Sequence, residues 1–195
     1  MLSYKESLKI LKETKALLEG HFILSSGLRS AQYVQCAKLL SYPKKATLIC
    51  KSLTSKINRK FKKIDFILSP AVGGIVVGYE VARQLNVKAI FAERKNKKFI
   101  LRRGFVIPKN SNVLIVEDVI TTGKSSLECS KLIKKNHANL LGFSCIIDRS
   151  TDKLLIKSNI VSQIKINIPT FNKKKIPKKL LKIKPNKPGS NTNIK

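Results

Sequence analysis

The segment from Val113 to Ser125 constrains the fold more than any other part of the chain. It begins with the unbroken apolar run Val113 to Val116, continues with the acids Glu117 and Asp118, and ends in Thr-Thr-Gly-Lys-Ser. An apolar run without alternation predicts a parallel strand that is covered on both faces. Residues Gly123 to Lys135 then have the pattern of a helix. The segment therefore predicts a buried strand, a hydroxyl-rich turn and the start of a helix.

The turn after this predicted strand is suited to a sugar phosphate. Backbone N–H groups of the turn and of the first helical turn converge, and the helix dipole adds positive potential, so a phosphate can bind there. Threonine and serine hydroxyls supply further donors. The adjacent carboxylates would repel that phosphate unless they faced other groups, such as the neighbouring hydroxyls of a ribose. A sugar phosphate satisfies both demands.

Two other interpretations of the segment compete with this one. Gly123-Lys124-Ser125 looks like the end of a Walker A loop, but that motif needs glycine five positions before Gly123, where this chain has Asp118. The second alternative is an acidic helix cap, in which Glu117 and Asp118 are simply solvated before the turn. The sequence motif disfavours the first alternative and leaves the second open.

The remaining sequence predicts an α/β class domain. From Ile64 onward, short apolar runs alternate with glycine-rich turns and helices, giving one β-α-β unit over 64–92 and a second over 113–147. This alternation predicts a doubly wound, mainly parallel sheet flanked by helices. Between the units, residues 93–104 carry six basic residues. We interpret them as a mobile basic loop, although Phe99 to Leu101 would allow a hairpin.

The charge of the chain is strongly positive. Forty basic residues against 11 acidic ones give a formal charge of +29, which favours anionic partners. However, nine of the lysines lie in residues 172–195, which contain no acid. The Lys/Pro/Asn-rich composition predicts that residues 171–195 form a disordered tail, whose deletion should leave catalysis nearly intact. Compositional drift explains the charge as well as a functional electrostatic field does.

The cysteines and the apolar runs predict the cellular compartment. Cys36, Cys50, Cys129 and Cys145 are widely spaced and form no C-x-x-C motif, so they indicate neither a zinc site nor a disulfide framework. No apolar run approaches the ~18 residues of a spanning helix, and the N-terminus has no signal-peptide core. We therefore expect a cytoplasmic protein that does not associate with a membrane.

Four segments, which occur in the right order along the chain, resemble the type I phosphoribosyltransferases and are similar to the orotate phosphoribosyltransferase family in particular. They are the segment 113–125, the segment 20–27 with Tyr33, the segment 69–75, and Asp148-Arg149. The resemblance covers about Leu17 to Arg149. It implies the type I phosphoribosyltransferase fold with a small N-terminal hood at residues 1–40, a core at 60–150, one domain over 1–170 and a flexible basic loop.

The resemblance also implies a reaction and its participants. Orotate and 5-phosphoribosyl 1-pyrophosphate (PRPP) would form orotidine 5′-monophosphate and pyrophosphate in pyrimidine synthesis. Mg²⁺ would be carried by PRPP, with no metal held directly by the protein, and the enzyme would be a homodimer. Catalytic electrostatics are assigned to Asp118 and to the loop residues Arg94, Lys95 and Lys98.

Binding roles follow from the same resemblance. Glu117 and Asp118 would hold the ribose hydroxyls, residues 121–125 the 5′-phosphate, and residues 69–74 the pyrophosphate through backbone N–H groups. The implied contacts to PRPP are Val72, Gly73, Glu117, Asp118, Val119, Ile120, Thr121, Thr122, Gly123, Lys124 and Ser125. The implied contacts to orotate are Ser25, Thr121 and Arg149, whose planar guanidinium suits a carboxylate.

Two alternative functions stay open at this point. The phosphate motif is shared by purine and uracil phosphoribosyltransferases, but Arg149 and the segment 24–27 favour an acidic pyrimidine. An RNA-binding regulator on the same fold would use the positive charge, yet the chain has no motif that interleaves aromatic and basic residues. We therefore expect no specific nucleic-acid partner. The chain departs from some family members at Ser25 and Gly73, where they have lysine, and by having no histidine in 93–104.

Overall fold

The structure, a computed structural model, describes residues 1–24, 26–173 and 175–188. Its elements in chain order are α1 (Tyr4–Glu13), β1 (Leu17–Ile23), β2 (Arg29–Val34), α2 (Cys36–Leu40), α3 (Pro43–Lys60), β3 (Phe66–Pro70), α4 (Gly73–Leu85), β4 (Lys88–Lys95), β5 (Lys98–Leu101), β6 (Asn112–Ile120), α5 (Lys124–Lys135), β7 (Asn139–Asp148), β8 (Ile160–Lys165), β9 (Thr170–Phe171) and α6 (Lys178–Leu181). They form two sheets. In the part of the chain that is described, no helix is both long enough and apolar enough to cross a membrane.

The larger sheet confirms the predicted α/β architecture. Its strand order is β5-β4-β3-β6-β7-β8, with β3, β4, β6, β7 and β8 parallel and β5 antiparallel to β4. From β3, the chain continues to β4 on one side, whereas β6 pairs with β3 on the other side. In such sheets ligands bind beyond the carboxyl ends of the strands where the order reverses. We call the crevice between the carboxyl ends of β3 and β6 the switch point.

Strand β6 is buried on both faces, as its apolar run predicts. Leu114 and Val116 belong to the apolar core that contains α3 and α4, whereas Val113 and Ile115 belong to the core on the side of α5. All four side chains have no exposed surface. The two layers of helices fix β6 in the centre of the sheet, so the residues that follow it are held in a constant position.

The smaller sheet, β1-β2-β9, forms the hood. Strand β2 leads directly into α2, where the Cys36 thiol lies 3.8 Å from the backbone oxygen of Asp118. The hood is therefore attached beside the carboxyl end of β6, on the same side of the large sheet as the switch point.

Residues 93–104 differ from the predicted mobile loop. Most of them form the β4–β5 hairpin, in which Arg94 pairs with Phe99 and Lys95 with Lys98. The turn residues Asn96 and Lys97 both have positive φ, as in the tight turns that join twisted antiparallel strands. The buried Phe99 holds the second strand against the core, so the hairpin that Phe99 to Leu101 allowed is the form that this stretch takes.

The C-terminal segment also differs from the predicted disorder over its described part. Strand β9 pairs with β2, and α6 contacts β1. Leu180 is only 5% exposed, and Asn186 forms a backbone bridge with Phe22 of β1. An apolar anchor and backbone hydrogen bonds fix this segment, which composition alone does not indicate. Residues 189–195 of the predicted tail lie outside the described residues.

Candidate active site

The two acids at the end of β6 lie at the N-termini of two different helices. Glu117 accepts a hydrogen bond from the hydroxyl of Ser126, in the first turn of α5. Asp118 points the other way, toward α4, because a Cβ atom at Gly73 would lie 3.0 Å from Oδ1 of Asp118. Carboxylates are stabilised near helix N-termini by the helix dipole. The switch point therefore brings together two acids and two helix N-termini.

Burial sets the protonation of these acids. The pKa of Glu117 is raised to about 7, mainly by removal from water and to a lesser extent by the charge of Asp118, while hydrogen bonds from Ser126 oppose the rise. Burial also raises the pKa of Asp118, while its hydrogen bond from the Val119 N–H, 2.9 Å long, opposes the rise. Both groups are thus poised to change their charge state or hydrogen bonding when a ligand arrives.

The turn after β6 encloses a small polar cavity. It has a volume of about 90 Å³ and is lined by Glu117, Val119, Ile120, Thr121, Thr122, Gly123, Lys124 and Ser125. Gly123 has φ 73°, and a Cβ atom there would come within 2.5 Å of the Ile156 side chain, so only glycine fits this turn. Thr121 and Thr122 are exposed at its mouth. The arrangement can bind a phosphate through hydroxyl and backbone donors.

The segment after β3 completes the crevice on its other side. Val72 is 82% exposed, and Gly73 begins α4 beside the Asp118 carboxylate. The peptide between Ala71 and Val72 is cis. The small residues leave the backbone of this segment open to a ligand. Of the predicted PRPP contacts, the structure thus places Gly73 beside Asp118, with Val72 exposed next to it.

Arg149 approaches the same crevice from β7. Its N–H donates a 2.8 Å hydrogen bond to the backbone oxygen of Ile120, which fixes it beside the turn. Its Nε is buried and has no hydrogen-bond partner among the described residues. Burial lowers the pKa of the Arg149 guanidinium, and the nearby Tyr33 of the hood opposes that shift. An unsatisfied buried donor of this kind is suited to an anionic ligand.

The predicted catalytic cations lie in the ordered β4–β5 hairpin and not in a mobile loop. Arg94 forms an ion pair with Glu128 of α5, with 2.8 Å between Nη1 and Oε2, and lies over the Phe99 ring. Lys95 and Lys98 are exposed and make no ion pair within the described part of the chain. The hairpin therefore packs near α5, and its three predicted catalytic cations do not contact Glu117 or Asp118.

Two residues of the site received no binding role from the sequence, and one predicted residue is not among those that the structure describes. Ser126 and Tyr33 were not assigned binding roles, although Ser126 is the next hydroxyl along α5 and Tyr33 belongs to the quoted family segment. Ser25, predicted to contact orotate, lies outside the described residues. No group of three or more His, Cys, Asp or Glu side chains suited to a metal occurs within the described residues.

Comparisons with known proteins match these features. A model of the phosphoribosyl transferase domain matches residues 41–181. The orotate phosphoribosyltransferase of Parvibaculum lavamentivorans is 45% identical over 186 residues, which cover 93% of this chain and 96% of the relative. The orotate phosphoribosyltransferase of Methylorubrum populi is 44% identical over 187 residues, which cover 95% of each chain. These relatives match nearly the whole chain, not the phosphate-binding segment alone.

A solved structure agrees with the fold. The orotate phosphoribosyltransferase from Aeropyrum pernix superposes with a TM-score of 0.69 at 23% identity, covering 81% of this chain and 92% of that one. At this identity the likeness concerns the fold alone. It confirms the expected type I phosphoribosyltransferase architecture.

Proposed function

Since the chain belongs to the phosphoribosyltransferase family and its curated relatives are orotate phosphoribosyltransferases, we propose that it transfers the 5-phosphoribosyl group of PRPP to orotate. The products are orotidine 5′-monophosphate and pyrophosphate, and the reaction serves pyrimidine synthesis. The enzyme is a pentosyltransferase. One observation carries the assignment of the site: Glu117 and Asp118 lie between the N-termini of α4 and α5, on the strand whose last residue, Ile120, accepts a hydrogen bond from the Arg149 N–H.

Each part of PRPP has a complementary group in this crevice. The hydroxyls and N–H groups of 121–125 receive the 5′-phosphate, where the dipole of α5 is favourable. Glu117 and Asp118 accept hydrogen bonds from the ribose hydroxyls. The exposed backbone at Val72 and Gly73, at the N-terminus of α4, receives the pyrophosphate.

Catalysis in this arrangement is electrostatic. As the bond to pyrophosphate breaks, the sugar carbon develops positive charge and the leaving group gains negative charge. The partly buried carboxylates of Glu117 and Asp118 stabilise the positive sugar, and the N-terminus of α4 stabilises the leaving group. Arg149 holds the carboxylate or a ring oxygen of orotate, and Thr121 lies at the mouth of the turn where the base enters.

The hairpin cations Arg94, Lys95 and Lys98 close over the pyrophosphate in our proposal. Arg94 must exchange Glu128 for the leaving group, because the ion pair occupies it in this structure. Closure would also exclude water from the activated sugar.

Mg²⁺ fits the site as an ion carried by the substrate. Magnesium usually keeps several waters and binds through a few carboxylates together with substrate phosphates. PRPP supplies the phosphates that carry the ion, while Glu117 and Asp118 accept hydrogen bonds from the ribose hydroxyls. When bound, the ion neutralises charge on the leaving pyrophosphate.

We propose a homodimer that functions in the cytoplasm. Apolar side chains are exposed along one side of α4, at Val72, Val76 and Tyr79, and Tyr79 is 63% exposed. Leu48 of the adjacent α3 is also exposed, and large exposed apolar patches mark interfaces. This face begins at Val72, so a second subunit seated there would border the pyrophosphate position. The four cysteines are all buried free thiols, as is usual in a reducing compartment.

An absorbance assay tests the proposed function. Purified protein with Mg²⁺ and PRPP should consume orotate, while parallel reactions with uracil, adenine and hypoxanthine should show no turnover. Turnover with another base would replace orotate as the substrate. A folded protein that binds PRPP but converts none of the four bases would favour the RNA-binding regulator.

A further inference from the structure

Residues 175–188, which we call the strap, are hydrogen-bonded along the first strand of the hood. The Asn186 N–H donates to the backbone oxygen of His21, and the Ile23 N–H donates to the backbone oxygen of Asn186, each over 2.8 Å. Asn186 thus adds a parallel bridge beside Phe22. Both backbone groups of one strap residue are used to hold β1.

A side-chain contact reinforces this attachment. His21 is only 5% exposed, and its Nδ1 lies 3.1 Å from the backbone oxygen of Ile183. Since a carbonyl oxygen only accepts, Nδ1 must carry the proton in this bond. The buried Leu180 anchors the strap one turn earlier. The strap is therefore attached through a polar pair, a backbone bridge and an apolar side chain.

The hood strands held by the strap reach the orotate half of the site. His21 and Ile23 lie in β1, which pairs with β2, and the Phe22 ring between them lies 5.7 Å from the Tyr33 ring of β2. The Tyr33 phenol opposes the lowering of the Arg149 pKa by burial, and both residues belong to the segments that carry the family resemblance. The groups proposed for PRPP, in contrast, lie on β6 of the large sheet and on the helices α4 and α5 that flank it. A displacement of the hood would therefore affect the two substrates unequally.

We infer that the strap is a clasp that positions the hood for orotate, with His21 and Asn186 as positioning residues. This inference rests on the proposed function for its kinetic readout. It reverses the expectation that the C-terminal segment is dispensable for catalysis. The clasp fixes the Tyr33 side of the orotate pocket and leaves PRPP binding unchanged.

The test compares Asn186→Pro with Asn186→Ala in the full chain. Proline removes the N–H that binds the His21 oxygen, whereas alanine keeps it and changes only an exposed side chain. We expect Asn186→Pro to raise the KM for orotate about fivefold, which corresponds to roughly 1 kcal/mol, the net value of a typical hydrogen bond. The KM for PRPP and all constants of Asn186→Ala should stay at the wild-type values.

Hydrogen exchange separates this inference from the proposed function. In Asn186→Pro, amides of 28–34 in the hood should exchange faster, while those of 113–120 in β6 stay protected. If the wild-type protein does not use orotate, but Asn186→Pro still speeds exchange in the hood, the clasp is sustained and the proposed function is rejected. Unchanged hood exchange, or an equal rise in both KM values, would overturn the clasp.

A second pair of variants covers the case in which Asn186→Pro fails to fold. His21→Leu removes the donor to Ile183, whereas His21→Asn restores an N–H near the position of Nδ1. We expect the KM for orotate to rise in His21→Leu and to recover in His21→Asn. A fall in melting temperature of both variants without any change in the KM for orotate would mean that His21 is merely structural, and the inference would be rejected.

Discussion

The carboxylates at the end of β6 and the cations of the β4–β5 hairpin are both assigned to catalysis, but their surroundings differ. Glu117 and Asp118 are partly buried, Glu117 is hydrogen-bonded to the first turn of α5, and Asp118 lies beside the first residue of α4. Arg94 is exposed and paired with Glu128, and Glu93 pairs with Arg102 and Arg103. The negative half of the site is thus fixed before substrate arrives, whereas the positive half is engaged elsewhere.

This difference indicates which groups should contribute most to lowering the activation free energy. Fixed carboxylates in a site with little water act without reorganisation, so their removal should cost most of the activity. Exposed ion pairs contribute little to stability, so a cation can leave its partner at a small cost. The hairpin can therefore change partners during the reaction, and its individual cations should matter less than Asp118.

The largest effect is expected from Asp118→Asn. The variant should lose activity by about a hundredfold or more, because it removes a fixed charge beside the developing positive sugar. Its melting temperature should not fall, since burial disfavours the Asp118 charge and asparagine can still accept from Val119. Steady-state kinetics and thermal melting decide this, with the exposed Asp152→Asn as the control. Loss of fold together with activity would instead support the helix-cap interpretation.

A smaller effect is expected from Arg94→Gln. Its kcat should fall about tenfold, less than the roughly hundredfold loss expected for a preorganised group, because the Arg94 side chain must first leave Glu128. Glu128→Gln should keep or raise kcat. The neutral glutamine binds Arg94 more weakly than Glu128 does, so Arg94 is released more easily when the hairpin closes. Lys95→Gln and Lys98→Gln rank the other two proposed cations of the hairpin, and Lys97→Gln, an exposed turn residue with no assigned catalytic role, serves as the control. A larger loss in Glu128→Gln than in Arg94→Gln would show that the ion pair itself, not its release, is what the reaction needs.

Mixed dimers can show in which subunit the hairpin acts. If Arg94 reaches the site of the partner subunit, a mixture of Arg94→Gln and Asp118→Asn proteins should regain activity after subunit exchange, because one site then has both wild-type groups. If it acts within its own subunit, every site in the mixed dimer carries a substitution, and activity stays at the average of the two variants. Light scattering before and after mixing verifies that the dimers form.

The sequence predicted the parts of the site that are local in the chain. Residues 113–125 contain the strand, the acids and the turn in one continuous pattern, so periodicity and turn chemistry were sufficient. Gly73, after β3, lies close to Asp118, at the end of β6. This contact between distant segments cannot be predicted from the pattern of either segment alone. The family resemblance assigned both residues to PRPP without giving their geometry.

The structure differs from the sequence prediction in the β4–β5 hairpin and in the C-terminal segment, and in both cases the composition gave little signal. The hairpin turn uses Asn96-Lys97, and lysine replaces the glycine that usually marks a two-residue turn, so its signal was weak. In the C-terminal segment, lysines dominate the composition, but the attachment uses backbone groups of Asn186 and the single side chain of Leu180. Backbone hydrogen bonds between distant segments leave no trace in composition.

The smallest expected effect concerns the pH dependence of Glu117. Its pKa is about 7 in the folded protein and near 4.5 when unfolded, so the folded state binds the extra proton between these values. This stabilisation is complete below about pH 4.5 and is lost as pH rises through 7. Glu117→Gln cannot titrate at this position. The difference between its free energy of unfolding and that of the wild type should therefore increase by roughly 2 kcal/mol from pH 5 to pH 8, in favour of the variant. Denaturant unfolding at both pH values measures the difference, with Asp152→Asn as the control.

The same titration should appear in PRPP binding, where it separates the buried acid from the exposed cations. A protonated Glu117 has fewer lone pairs for the ribose hydroxyls, so wild-type affinity for PRPP should improve as pH rises from 6 to 8. The ratio of wild-type to Glu117→Gln affinity cancels the ionisation of PRPP itself, and this ratio should rise about threefold or more over the range. Calorimetric titration at each pH gives the ratio. A constant ratio would mean that Glu117 remains bound to Ser126 in the complex and that Asp118 alone holds the ribose.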